Sequence, residues 1–293
     1  MAIIRGNAIN VHVFLEKIVD FLRSRGYTML TNSTTGQKKY YFLKKGNFAL
    51  VLASVDSQIE VVPCRNIAGA AKLFDQPGAY LRYGKAGLVA PEIIGAVSKY
   101  YFFSYQDTDE VYIVFEYQPS KWQLMAFGVI TKFTDSVPHG EFAFAAGHRE
   151  YIESSSYAYG SYNAGEIFPF ARNGTVENSS TVVYANFNSY EGWFASHGTS
   201  QIAVCSSLWD YLQQSASASP FGWQTVLMPM NIYLSHSLGK ASFGMLKHLR
   251  RCSIQNHLVE ERITLGYDKW ILFPYLQKNG YTGNLGYAIR EEP

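Results

Sequence analysis

The strongest constraint on this chain is an alternation in side-chain character between residues 100 and 133, read as YYFFSYQDTDEVYIVFEYQPSKWQLMAFGVITKF. Val111, Ile113, Phe115 and Tyr117 point one way, and Glu110, Tyr112, Val114 and Glu116 point the other. A period of two in β-branched and aromatic residues predicts a strand, because successive side chains of an extended chain emerge on opposite faces. Pro119 pre-sets the backbone for a turn, and Trp122 opens the return strand. The segment predicts two long strands flanking a proline turn.

Helical periodicity is clear in one place. Val11, Phe14, Leu15, Ile18, Phe21 and Leu22 recur at helical spacing, Asn10 is placed to cap the start, and Gly26 to end the helix. Strands are expected at Tyr40 to Leu43, Phe48 to Ala53 and Gln58 to Pro63, with a turn at Gly46-Asn47. Ile67 to Phe74 reads as a short helix. Further strands are expected at Glu141 to Ala146, Thr181 to Phe187, and Gln224 to Leu234, the last interrupted by Pro229. Leu208 to Gln214 reads as a helical turn or two, and Ser215 to Phe221 as a flexible connector. The C-terminal strands are Arg262 to Leu265, Lys269 to Gln277 and Leu285 to Arg290. Trp270, Leu272 and Pro274 alternate with Ile271, Phe273 and Tyr275, so that strand is apolar on both faces and belongs inside a core.

The fold class that follows is mainly β (α+β): a β-sandwich or barrel-like core with a small N-terminal α/β unit and long loops. Residues 1–98 form the expected N-terminal unit. Residues 99–293 form a β-rich domain carrying a long Ser/Tyr-rich loop insertion near 147–200.

Composition bears on function here. Tyr and Phe number 22 and 19 while charged residues make up 16%, so aromatic rings must serve surfaces and interfaces as well as the core. A net charge of +2 gives no bulk attraction for nucleic acid or an anionic membrane. Three widely spaced cysteines, Cys64, Cys205 and Cys252, offer neither a disulfide framework nor a CxxC zinc site, and fit a reducing compartment. No secretory signal pattern and no apolar run of roughly 18 residues is visible, so the expectation is a soluble chain made in the cytoplasm.

The motifs that could carry chemistry have plainer readings. The histidines (His12, His139, His148, His197, His236, His248 and His257) include no HxxxH or HExxH pair. The acidic knot Asp107, Asp109 and Glu110 could begin a hard-cation site but lacks a full EF-hand loop, and reads as a solvated turn. Gly280, Gly283 and Gly286 precede a strand rather than a helix, which removes the phosphate-cradle reading. Glu60, Glu116 and Glu141 could pair as carboxylates, yet read as strand glutamates facing solvent. No GxSxG elbow is present. The basic cluster Lys240, Lys247, His248, Arg250 and Arg251 could meet phosphates, and reads as a solvated helix or loop face. No catalytic, cofactor-binding or metal-binding residue is assigned from sequence, and no cofactor is expected.

Two segments carry a resemblance. Phe127-Gly128-Val129-Ile130-Thr131-Lys132-Phe133 ends the aromatic hairpin. GYDKWILFPYLQKNGYTGNLGYAIR supplies Gly266, Asp268, Trp270, Phe273 and Pro274, then Gly283-Asn284, Gly286, Ala288 and Arg290. In content and order these resemble a family of tailed-bacteriophage virion structural proteins. One departure is Asp135 to Gly140, where relatives often carry a tryptophan and a double glycine.

The resemblance implies a non-enzymatic virion structural protein, assembled in the host bacterial cytoplasm. It would form a homo-oligomeric ring (hexamer or dodecamer) in the neck, at the head-to-tail connection, or in the tail-end region. Its partners would be adjoining neck, portal or tail proteins, with non-specific contact to passing DNA and no membrane. The alternative is a tail-tip or fibre-type receptor- or glycan-binding module, since exposed Tyr and Trp also stack on sugars. A carboxylate hydrolase of cell-wall glycans is a third class.

Overall fold

Strands make up nearly all the regular structure in the computed structural model, which describes residues 2–36, 38–46, 48–55, 58–64, 66–68, 72–74, 81–83, 95–135, 140–145, 182–188, 192–195, 202–204, 225–236, 239–274, 277–279 and 285–291. The chain opens with β1 (Ala2–Ala8) and the helix α1 (Val11–Ser24). There follow β2 (Thr28–Thr35), β3 (Lys38–Lys45), β4 (Phe48–Val55), β5 (Gln58–Cys64), β6 (Asn66–Ala68), β7 (Lys72–Phe74) and β8 (Leu81–Tyr83). The aromatic segment forms β9 (Val97–Ser104), β10 (Val111–Gln118) and β11 (Lys121–Val129), continuing into β12 (Thr131–Lys132) and β13 (Glu141–Ala145). Next come β14 (Val182–Asn188), β15 (Gly192–Ala195), β16 (Ile202–Val204), β17 (Met228–His236) and β18 (Gly239–Ser253). The last three are β19 (Arg262–Leu265), β20 (Asp268–Pro274) and β21 (Leu285–Glu291).

These strands build three antiparallel sheets and a small ribbon. The first sheet runs β1-β9-β10-β11-β13-β14-β15. The second runs β16-β17-β18-β21-β20-β19, with β12 added alongside β18. The third runs β2-β3-β4-β5-β8, and β6-β7 pair by themselves. This is the mainly β, sandwich-like architecture that the alternating pattern predicts.

The first sheet is the middle layer, and its alternation decides what it touches. Val111, Ile113, Phe115 and Tyr117 share one core with α1 and with Leu50 and Leu52 of the third sheet. Tyr112, Val114, Leu124 and Ala126 share the other core with Ile271, Phe273 and Ile289 of the second sheet. Aromatic contacts tie the layers: Phe14 lies 5.0 Å from Phe115 between ring centroids, and Phe273 lies 5.2 Å from Tyr101. Ring pairs at such separations add to the stabilisation from area burial alone.

The helix forms as its sequence predicts. The Asn10 side chain accepts from the Val13 amide at 2.9 Å, and Gly26 takes a left-handed φ of 88° just past the end. Seven apolar residues of α1 are buried, and at about 2 kcal/mol each this packing, rather than propensity, holds a helix of this length. The boundary expected between residues 98 and 99 falls inside β9, which pairs with β1 from Ala2 to Ala8. The opening hundred residues and the later strands therefore share a sheet and a core.

Three expectations are corrected. Ile67 to Phe74 is not a helix: Ile67 pairs with Leu73 across the β6-β7 ribbon. Gly69 disfavours a helix there, and eight residues are too few to sustain one alone. The basic residues 247–251 lie on no helix or loop but within the 15-residue strand β18. β15 adds a strand inside the stretch read as loop, pairing with β14. Apart from β14 and β15, residues 147–200 lie outside the described residues, as do the helical turns expected at Leu208 to Gln214 and the connector at Ser215 to Phe221. The doubly apolar strand is confirmed: β20 sits between β19 and β21 with Trp270 and Leu272 in one cluster and Ile271 and Phe273 in another.

Candidate functional site

An irregularity in β18 creates the most unusual chemistry among the described residues. Along the β17–β18 ladder Pro229 pairs with Arg250, but the next residue, Met230, pairs with Leu246. Lys247, His248 and Leu249 have no opposite number on β17, so they form a bulge beside a proline that has no amide hydrogen to offer. A buried bulge leaves backbone donors and acceptors without ladder partners, and each must be satisfied from elsewhere.

Glu110 satisfies the donors. Its residue is fully buried. One carboxylate oxygen accepts from the Lys247 amide at 2.8 Å and the Thr131 hydroxyl at 3.2 Å. The other accepts from the His248 amide at 3.1 Å and the Tyr112 hydroxyl at 2.8 Å. Arg250 satisfies acceptors: one guanidinium nitrogen donates to the carbonyls of Lys247 and Leu249, both at 2.8 Å, while the group lies 5.1 Å from the Trp270 ring centroid. A carboxylate just ahead of β10 in the first sheet and a guanidinium on the second thus close the bulge between them.

Asp107 completes the cluster. Its oxygens meet Lys247 Nζ at 2.5 Å and His248 Nε2 at 3.0 Å. The carboxylate only accepts, so Nε2 carries the imidazole proton. The ring is fully buried and stacks on Tyr105 with centroids 3.7 Å apart, and among the described residues Nδ1 has no hydrogen-bond partner. Asp109 turns the other way and pairs with Lys45 at 2.5 Å. The corner depends on Gly128, whose φ is 133° and whose missing Cβ would lie 1.9 Å from the Asp109 carbonyl oxygen.

Burial dominates the proton affinities. It pushes the Glu110 carboxyl up to about 7 against the pull of its four hydrogen bonds. It pushes His248 down to about 4, although the neighbouring Asp107 favours the charged ring. Partial burial opposes ionisation of Asp107, but the Lys247 hydrogen bond and the charges of His248 and Lys247 hold it below its usual range. Burial also raises Tyr112, with Glu110 reinforcing the effect.

Chemically the cluster is a clamp. Its buried polar groups face each other across the two sheets, and among the described residues no hydroxyl or thiol nucleophile stands in line with the His248–Asp107 pair. The structure brings together two sets of residues that sequence treated separately, the acidic knot and the basic cluster. It also corrects both readings. Glu110 is not in a solvated turn, because it shares the parity of Tyr112 and Val114 and points into the core with them. The basic set is no solvated face, since His248 and Arg251 are buried and Lys247 and Arg250 are engaged within the protein. The Lys240 side chain lies outside the described residues.

Other predicted positions are simpler. Glu116 binds the Ser98 hydroxyl at 2.5 Å and the Ser120 amide at 2.6 Å, so it caps the hairpin turn. The side chains of Glu60 and Glu141 lie outside the described residues. Asp268 of the phage-like motif pairs with Arg290 at 2.5 Å. His12 bonds Ser54, which is buried, at 2.7 Å. No group of three or more His, Cys, Asp or Glu residues suited to a metal ion occurs among the described residues, and no helix there is long and apolar enough to cross a membrane. Sequence reasoning missed one assembly altogether: Thr225, His257 and Glu261 meet in a hydrogen-bonded line. The four-residue spacing of His257 and Glu261 was the only available signal.

No protein-family profile matches the chain, and no curated protein matches it.

Proposed function

We propose that this protein is a bacteriophage virion structural subunit that assembles into a homo-oligomeric ring, in the neck or the tail-end region. The observation that carries the reading is the outer edge of the second sheet. Among the described residues β19 pairs only with β20, and does so in unbroken register. It has neither the bulge nor the proline that commonly guards a free edge, and its single charge, Arg262, is drawn off to Glu291 at 2.9 Å. Apolar side chains stand beside it: Leu258 is 73% exposed and Tyr267, on the β19–β20 turn, 98% exposed.

Such an edge is suited to receive another strand. Exposed aromatic and aliphatic groups at its two ends supply contact area at low entropic cost. The β19–β20 hairpin also carries Gly266, Asp268, Trp270 and Phe273 of the phage-like motif, so motif and edge coincide. In a ring, one face of each copy must complement a different face of the next, and each contact must bury on the order of 800 Å² per partner. Neighbouring neck, portal or tail rings would stack on this assembly.

Native mass spectrometry of the purified chain, with and without Leu265→Ser and Tyr267→Ser, tests the reading. A closed oligomer of six or twelve copies that the double variant reduces to folded monomer is the expected result. A trimer would favour the fibre-type receptor- or glycan-binding module, for which the same exposed Tyr267 would be a stacking platform. A wild-type chain that stays monomeric at high concentration would overturn the ring.

A further inference from the structure

The loop joining β18 to β19 carries His257 and Glu261, which line up with Thr225, just ahead of β17, in an order with chemical meaning. Glu261 is the anchor. Its Oε2 accepts from the Leu258 amide at 2.7 Å and its Oε1 lies 3.0 Å from His257 Nδ1. The hydrogen bonds from His257 and from the Leu258 amide hold this carboxyl below its usual range, so it is an anion at neutral pH. An anionic carboxylate only accepts, which places the imidazole proton on Nδ1 and the lone pair on Nε2. Nε2 is hydrogen-bonded to the Thr225 hydroxyl, which therefore donates to it.

The frame around these groups is well tied. The Glu260 amide donates to the Leu272 carbonyl at 2.8 Å, and the Leu272 amide returns a bond to the Glu261 carbonyl at 2.9 Å. The His257 amide closes a turn onto Ile254, and Lys278 Nζ binds the His257 carbonyl. Glu260, between histidine and anchor, has a φ of 66°, a left-handed conformation that costs a non-glycine residue roughly 1 kcal/mol or more. The line is also reachable: the His257 side chain is 15% exposed, and Thr225 is only partly buried.

We propose that Thr225 is an activated nucleophile that takes the acyl group of small carboxylic esters, with His257 as its general base and Glu261 as the residue that positions the imidazole. As the Thr225 Oγ–carbon bond forms at the ester carbonyl, the hydroxyl proton moves to His257 Nε2. The bond from that carbon to the leaving oxygen then breaks, and the leaving group takes the proton from His257. Thr225 is left as an ester. Water, giving its proton to the same nitrogen, releases the acid and restores the hydroxyl. The sequence is redox-neutral and uses no cofactor. Hydroxyl, imidazole and carboxylate in hydrogen-bonded series are what this chemistry requires. The inference is independent of ring assembly, because native mass reads the one and acyl labelling the other.

The test treats the full-length protein with p-nitrophenyl acetate and follows nitrophenolate release, intact mass and the labelled peptide. In samples quenched in acid during the first turnover, the expected result is one acetyl group per chain, mapped to Thr225, with labelling slowed at least about 100-fold in Thr225→Val and in His257→Gln. Thr225→Ser should keep the reaction. Glu261→Gln should slow it and displace its pH–rate profile, which a purely structural bond would not do. Labelling that maps to lysines, or that proceeds equally in wild type and Thr225→Val, overturns the proposal. Should Thr225→Val fail to fold, Thr225→Ser and His257→Gln decide the matter by the same two readouts.

Discussion

Replacing Glu110 by Gln and, separately, His248 by Phe should reveal two opposite pH dependences that the wild-type clamp cancels. Glu110 is raised from 4.5 to about 7 in the folded protein, so between those values the native state holds a proton that the unfolded chain has released. Its contribution to stability is present in full below pH 4.5 and is lost as pH rises through 7. His248 is lowered from 6.5 to about 4, so between those values the unfolded chain holds a proton that the native state refuses. Its contribution is present above pH 6.5 and is lost as pH falls through 4. Each shift is worth about 3 kcal/mol, and over the shared window from 4.5 to 6.5 the two slopes have opposite signs. Wild type should therefore show little pH dependence from this site.

Glu110→Gln removes one side of that balance and also turns an NH₂ group toward donors, a cost of about 1–3 kcal/mol at any pH. The penalty of Glu110→Gln relative to wild type should shrink by about 3 kcal/mol as pH rises from 4.5 to 7. The penalty of His248→Phe, which keeps the stack on Tyr105, should instead grow by a similar amount from pH 4 to 6.5. Urea unfolding followed by tryptophan fluorescence at four pH values across this range provides the measurement. Penalties that stay constant with pH within about 1 kcal/mol for both variants would refute the assignment of these two buried groups.

Two further substitutions test the packing around the clamp. Gly128→Ala places a methyl group where the Asp109 carbonyl oxygen now sits, at a φ of 133°; strain and overlap together should cost more than about 3 kcal/mol, read as a melting temperature lowered by several degrees. Gln123 is fully buried on β11, and neither atom of its amide has a partner among the described residues. Gln123→Met should accordingly stabilise the protein by about 1–2 kcal/mol, and a loss of stability in urea titration would show that the amide is satisfied.

Much of the scaffold was legible because its signals are local. The α1 stripe with its Asn10 cap, the period-two hairpin, and the doubly apolar β20 each rest on side-chain spacing within one segment. Ile67 to Phe74 misled because a short apolar run around Gly69 has no decisive period, and pairing with a neighbour settled its state. The clamp was harder. Glu110 sat in plain view with the parity of Tyr112, but the reason to bury a carboxylate lay 137 residues away in the amides of the β18 bulge.

The alternation of apolar side chains by itself determined that this chain folds into strands apolar on one or both faces, with one amphipathic helix beside them. Periodicity is a property of a single segment, so sequence carries it whole. Only the tertiary structure decided which polar groups would meet. The ladder slip at Pro229 freed the Lys247 and His248 amides, the sheet packing brought Glu110 beneath them, and the β18–β19 loop set Thr225 against His257. Those encounters join residues far apart in the chain, and no local pattern records the pairing.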